Sequence, residues 1–149
     1  MEFSDVIKNR YSCKKFSSEQ IGKDKLDAIL EAGRVAPTAK NLQEQHIYVV
    51  QSESALETID KLTPCRYNAP TVLIVAYNKN NVFTYLGDKR NSGIEDATIV
   101  ATHLMLAAYN EGVDSCWINF FNPDELAKAF NLPEDEEILM LLDIGVADK

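Results

Sequence analysis

Apolar residues recur at helical spacing in the first part of the chain. Glu2 to Asn9 carries Phe3, Val6 and Ile7 on one face, which predicts a short helix. Lys23 to Val35 repeats the pattern with Leu26, Ile29, Leu30 and Gly33, and Pro37 lies just past it as a stop. Between them Arg10 to Gln20 is polar and rich in Ser and Lys, an irregular connection. His46 to Val50 then reads as a strand and Glu53 to Leu62 as a helix. Thr71 to Tyr77 is apolar on both faces, so it belongs in the middle of a covered sheet. Val113 to Ile118 and Ile138 to Val146 are two further strands, separated by a short helix from Pro123 to Phe130 with proline in its first turn.

The longest helix, Gly93 to Glu111, departs from the amphipathic rule. Its polar residues are few, Ile94, Ala97, Val100, Ala101, Leu104, Met105 and Ala108 surround it, and Gly112 provides its stop. It is either a central core helix or one that packs partly against its own copy in a homodimer, where the small residues Ala97, Ala101 and Ala108 allow close approach. Helices and strands alternate without repeats, low-complexity tracts or linkers, so residues 1–149 form one domain. No GxGxxG or GxxxxGK[ST] follows any strand, so a nucleotide-like ligand would be held by side chains rather than by a glycine-rich phosphate cradle.

Charge and composition narrow the function classes. A formal net charge of -8 argues against nucleic-acid binding and against adhesion to anionic membranes, both of which need dense Lys/Arg patches. Hydrophobic residues at 46% and charged residues at 26% are those of an ordered globular chain. Cys13, Cys65 and Cys116 are odd in number and lack CxxC spacing, which argues against a disulfide framework or a zinc site and fits a reducing compartment. The N-terminal stretch MEFSDVIKNR lacks a signal-peptide core, and the chain reads as cytoplasmic.

Three segments could carry chemistry. Arg10-Tyr11-Ser12-Cys13-Lys14-Lys15-Phe16 concentrates positive charge in an acidic protein; Arg grips phosphate with two hydrogen bonds and Lys acts as a point charge. A solvated basic turn at a helix end would look the same. In Ala36-Pro37-Thr38-Ala39-Lys40-Asn41-Leu42-Gln43 the Asn and Gln side chains both donate and accept, which suits an imide edge, although Pro, Thr and Asn also favour turns. Cys116-Trp117-Ile118-Asn119-Phe120-Phe121 ends a strand in an aromatic cluster that could wall a flat-ligand pocket or simply fill the core. The cysteines and the two histidines sit in no nucleophile motif. His103 reads as a packed or interface residue, and no carboxylate is singled out as a general acid.

Taken in order, these segments resemble the nitroreductase family of flavoproteins. The family signature Arg-Arg-Ser-x-Arg-x-Phe is similar to Arg10 through Phe16. The resemblance implies that Arg10 and Ser12 reach the phosphate of FMN, that Lys14 reaches the flavin ring, and that Tyr11 contributes through its backbone. The family loop Ala-Pro-Ser-Ala-x-Asn-x-Gln-Pro-Trp resembles Ala36 through Gln45, which implies that Pro37, Thr38, Ala39, Asn41 and Gln43 close over the FMN of a second subunit. The Gly93–Ala108 stretch is similar to the helix at the family's dimer core. Trp117, Ile118 and Asn119 resemble the segment beside the flavin's reactive edge, with a backbone N–H near Asn119 facing N5.

The chain departs from the pattern at Tyr11, at Lys14, at Glu44-Gln45 in place of Pro-Trp, and at Gly145-Val146-Ala147 in place of Gly-Tyr-Pro. The family also usually continues past this point into a basic tail that helps to hold the phosphate. The expected fold is α+β, a mainly antiparallel central sheet flanked by helices in an intertwined homodimer. The expected activity is FMN-dependent transfer of electrons from NADH or NADPH to a small electron-poor acceptor such as a nitroaromatic or quinone. It needs no catalytic acid or base from the protein and no metal. The alternatives are another flavin chemistry on the same scaffold, or a non-catalytic flavin-binding or interaction domain.

Overall fold

A computed structural model describes all residues from Met1 to Lys149. Five helices and four strands follow in the order α1 (Phe3–Asn9), α2 (Lys23–Arg34), β1 (Gln45–Val50), α3 (Glu53–Leu62), β2 (Thr71–Asn78), α4 (Gly93–Asn110), β3 (Asp114–Ile118), α5 (Pro123–Ala129) and β4 (Glu136–Gly145). Every element expected from the residue pattern is present, with ends shifted by one or two residues. The expected fold class is also found: the strands form one antiparallel sheet in the order β1-β2-β4-β3, with helices on both faces.

Alternation along β2 explains the layers. Leu73, Val75 and Tyr77 face α2 and α4, together with Met140, Leu142 and Ile144 of β4. Val72, Ile74 and Ala76 face the opposite layer, where Ile59 of α3, Leu126 of α5, Cys116 and Ile118 of β3 and Leu141 of β4 close a second core. With both faces covered, β2 is buried over its whole run from Thr71 to Tyr77, as its two-sided hydrophobicity predicts. A bulge between Val75 and Ala76 shifts the register from Met140 to Ile138 and leaves Leu139 without a partner.

The α4 helix lies against the sheet and α2. Asp96, Ala97, Val100, Ala101, Leu104 and Ala108 form its buried face. Gly33 of α2 lets the two helices approach, since a β-carbon there would lie 2.7 Å from Leu104 Cδ2. His103 Nδ1 donates to Ala32 O at 3.1 Å, so the histidine ties α4 to α2 by a local hydrogen bond. Gly112 ends the helix in the left-handed region at φ 74°. On its outer side α4 leaves Ile94 64% exposed. An apolar groove of about 390 Å³ lies between α4 and α1, lined by Phe3, Val6, His103, Leu106 and Ala107.

The segment expected to be irregular, Arg10 to Gln20, is more ordered than its polarity suggests. It runs as an extended strap along the β3 edge, making one parallel bridge at Ser12–Ser115 and one antiparallel bridge at Phe16–Ala147. Cys13 and Phe16 alone point inward and bury themselves, and backbone bonds from Cys13 N to Ser115 O (2.8 Å) and Phe16 N to Tyr67 O (3.0 Å) pin the strap. No helix of the chain is long and apolar enough to cross a membrane.

Candidate functional site

Because Cys13 is directed into the core, the neighbouring Ser12 and Lys14 of this extended strap are exposed on its outer side. The parallel bridge Ser12–Ser115 joins the strap to β3, and the Lys14 charge acts on the nearby Cys116 thiol. The strap thus brings the first and third predicted segments together. Trp117 is half-buried and donates from Nε1 to Asn119 Oδ1 at 2.9 Å, Ile118 is buried, and Asn119 is exposed beyond the end of β3. Phe120 is 73% exposed, so this part of the aromatic cluster is not core. A shallow depression lined by Leu62, Asn119, Phe120 and Phe121 opens there.

The cations of the strap differ in their partners. Lys15 is 3.8 Å from Asp148, whereas Arg10 and Lys14 take part in no ion pair. Arg10 Nε is buried and has no hydrogen-bond partner. A buried donor without an acceptor is costly and calls for an anion or another acceptor. Tyr11 faces elsewhere: burial, then the Asp114 carboxylate, pushes its phenol up to about 12.

The second predicted segment forms the connection from α2 to β1, with a 3₁₀ turn at Ala39–Asn41. Its backbone is strained: Lys40, Asn41 and Gln43 all have positive φ, at 53°, 52° and 49°. Asp96 Oδ1 accepts from Ala39 N at 2.9 Å and Thr38 Oγ1 from Gln43 N at 3.0 Å, which holds the loop. Pro37, Asn41 and Gln43 are exposed and Thr38 and Ala39 half-exposed, so the imide-like donors and acceptors of this loop are free to meet a ligand. Within one chain, however, the loop does not meet the strap. It leads into β1, at one edge of the sheet, while the strap follows β3 at the other. Three strand spacings, about 14 Å, separate these edges.

Sequence reasoning missed three buried carboxyls. Glu44, 5% exposed, sits beneath the loop against Asp96, 2% exposed. Burial and the hydrogen bond to Asp96 push the Glu44 carboxyl up to about 7. Asp143, 1% exposed in β4, is pushed up to about 9, chiefly by burial. The only signal for Asp143 was its interruption of the apolar run Ile138 to Ile144; Glu44 and Asp96 gave none, since their burial depends on the fold. An outer cluster was missed as well: Glu136 accepts from Tyr48 Oη and lies 2.8 Å from His46 Nδ1. The cysteines are free, and burial followed by the Asp143 carboxyl pushes the Cys116 thiol up to about 11, which makes it a poor nucleophile. No group of three or more His, Cys, Asp or Glu is arranged to hold a metal ion.

Comparison with known proteins adds to this geometry. The sequence model of the Nitroreductase family matches residues 7–66 and 63–146. A Bacillus subtilis (strain 168) protein named "Putative NAD(P)H nitroreductase YodC" is 29% identical, the match covering 97% of this chain and 89% of that protein. The crystal structure of a nitroreductase family protein from Clostridium difficile 630 superposes with a TM-score of 0.96 at 34% identity, covering 100% of this chain and 86% of the other. An FMN-dependent nitroreductase from Clostridium difficile R20291 superposes with a TM-score of 0.85 at 26% identity, covering 98% and 88%.

Proposed function

The chain belongs to the nitroreductase family, and from that premise we propose that it is an FMN-dependent oxidoreductase working as a homodimer. It passes electrons from NADH or NADPH to a small electron-poor acceptor, a nitroaromatic or a quinone. The observation that carries this reading is the strap: Arg10 Nε is buried without a partner, and Lys14 is an exposed cation in no ion pair on a segment bridged to β3 at Ser115. Those residues fit FMN, whose phosphate supplies the missing acceptor and whose ring has an electron-rich edge. The FMN-dependent relative from Clostridium difficile R20291 supports the same choice of cofactor.

When bound, FMN supplies the two-electron carrier. The chain supplies position and charge. Arg10 and Ser12 would hold the phosphate, Arg10 through the buried Nε that lacks a partner and Ser12 through its exposed hydroxyl. Tyr11 contributes backbone only, its phenol being turned to Asp114. Lys14 would set a positive charge beside the ring, a preorganised electrostatic contribution to holding its reduced form that needs no proton transfer. Trp117, Ile118 and Asn119 line the reactive edge. Pro37, Thr38, Ala39, Asn41 and Gln43 close the site from the partner subunit, because within one chain they lie on the far edge of the sheet. The outer side of α4, where Ile94 is exposed, meets its own copy in this assembly.

The test is the visible spectrum of protein supplemented with FMN and desalted, before and after anaerobic NADH or NADPH. Flavin bands that survive desalting and bleach with the nucleotide are expected. Bands that survive but do not bleach indicate a binding domain without turnover, and a colourless protein rejects the proposal.

A further inference from the structure

The carboxyl groups of Glu44 and Asp96 meet under the 36–43 loop in a place where two negative charges cannot both be solvated. Both residues are at least nine-tenths buried. As carboxylates, Glu44 Oε1, Glu44 Oε2 and Asp96 Oδ2 would all be buried acceptors without a donor. One proton on Glu44, given to Asp96 Oδ2, supplies the missing donor and removes one of the two charges. The remaining oxygen, Asp96 Oδ1, already accepts from Ala39 N and so anchors the turn.

That turn needs an anchor. Lys40, Asn41 and Gln43 are non-glycine residues in the left-handed region, a conformation that persists only when its surroundings impose it. Besides Asp96, the loop is held by its internal Thr38–Gln43 bond, by the turn's own backbone bonds from Asn41 N to Thr38 O (3.0 Å) and Leu42 N to Ala39 O (3.2 Å), and by a long contact from Asn81 Nδ2 to Leu42 O (3.5 Å); of these, only the Asp96 bond ties the turn to α4. Glu44 itself is fixed on the β2 side, where its carbonyl accepts from Asn78 N at 2.9 Å. We infer that a proton held by Glu44 and donated in a hydrogen bond to Asp96 Oδ2 latches the strained 36–43 loop shut, so that the loop is released as the medium becomes alkaline.

The groups facing Glu44 reinforce the latch. Asp96 approaches from α4, and from β2 comes Tyr77, whose hydroxyl donates to Glu137 Oε2 of β4 at 2.8 Å. None of them is a cation that could stabilise a second negative charge. Ionisation of Glu44, which burial and Asp96 hold back to about pH 7, leaves two anions in contact and frees the turn to relax. Glu44 is therefore a positioning residue for the loop. Its effect on the cofactor rests on the function proposed above, in which this loop closes over the partner's FMN.

Lys40 makes the test direct, because it is exposed at the strained turn and trypsin cleaves after it only when the loop opens. Full-length wild type and Glu44→Gln are digested without FMN at pH 6 and pH 8. Cleavage after Lys40 is read by mass spectrometry and corrected for trypsin's own pH dependence on a small peptide. For a group titrating near pH 7 the open fraction rises about tenfold between these conditions in the wild type. Glu44→Gln stays flat, since its amide donates to Asp96 at either pH. Parallel profiles in the two proteins overturn the latch. If Glu44→Gln does not fold, protection of the Ala39 amide against hydrogen exchange in the wild type decides: a protection factor that falls above pH 7 supports the latch, and a constant one overturns it. FMN release, followed by its fluorescence in both proteins, accelerates with pH only in the wild type. Failure of FMN to bind at either pH rejects the flavin reading and leaves the proteolysis result standing.

Discussion

Replacing Asp143 with asparagine should stabilise the fold at neutral pH, by an amount that grows as pH rises. Asp143 lies in β4 opposite Val72 and Cys116, with 1% of its surface exposed. The cation that acts on it, Arg66, is committed elsewhere: Nε and Nη2 each bond Asp60 at 2.7 Å, and Nη1 bonds Ala69 O at 2.6 Å. Burial therefore outweighs the partial help from Arg66 and raises the carboxyl to about 9, with Cys65 and Asp60 adding to the shift. Oδ2 has no hydrogen-bond partner.

The sign follows from a native value above the unfolded one. The contribution of Asp143 is fully present below about pH 4, the unfolded range, and is lost as pH climbs toward about 9. Within that window the unfolded chain has released a proton that the native state still holds, so stability falls by about 1.4 kcal/mol per pH unit from this group alone. By pH 7 the loss reaches about 4 kcal/mol as an upper limit. Asparagine keeps the shape and has no such dependence. Its amide pairing differs from that of the protonated acid, but that difference is constant with pH and cancels in the comparison.

The assay is urea unfolding of wild type and Asp143→Asn at fixed protein concentration and at pH 5, 6, 7 and 7.5, followed by far-UV circular dichroism. The stability difference, variant minus wild type, should grow by about 3 kcal/mol across that range at most, with equal slopes against denaturant. All other titrating groups, Glu44 included, are common to both proteins and drop out. A difference that stays flat with pH would show that Asp143 is ionised in the native state, and would refute the argument from Arg66's commitments.

Other consequences can be checked singly. Lys14→Ala should weaken FMN binding and slow reduction by the nucleotide, read by fluorescence titration and stopped-flow bleaching; unchanged affinity and rate reject its role at the ring. Leu104→Ala removes a fully buried side chain packed on Gly33 and should cost about 2–5 kcal/mol in denaturant unfolding. A cost under 1 kcal/mol would mean that α2 can collapse onto α4.

Legibility in the sequence followed the kind of signal each feature carries. The two-sided apolar run of β2 and the amphipathic stripe of α2 are local patterns, and both elements lie where those patterns put them. The strap was read as irregular because Arg10 to Gln20 is polar and rich in Ser and Lys; only Cys13 and Phe16 turn inward, and two buried positions make no strand alternation. The loop's left-handed residues were hidden because Lys40 and Gln43 are not residue types that announce positive φ, as glycine does. The acid pair was hidden more deeply: Glu44 and Asp96 are far apart in the chain, and only the packing of α4 beneath the loop makes them neighbours.

The sheet order bears on the site more than any single residue does. Cations suited to a phosphate and a reduced ring lie along β3, while neutral amides and the strained turn stand at the entry to β1. No hydrogen bond joins the two segments within the chain. A ligand the size of FMN held on the strap is therefore open on one side unless a second chain covers it, and a two-fold arrangement gives each strap the other chain's loop. In that assembly the latch at Glu44 of one subunit controls closure over the cofactor of the other. A subunit carrying Glu44→Gln, mixed with wild type, should then tighten FMN retention at alkaline pH in the partner's site rather than in its own.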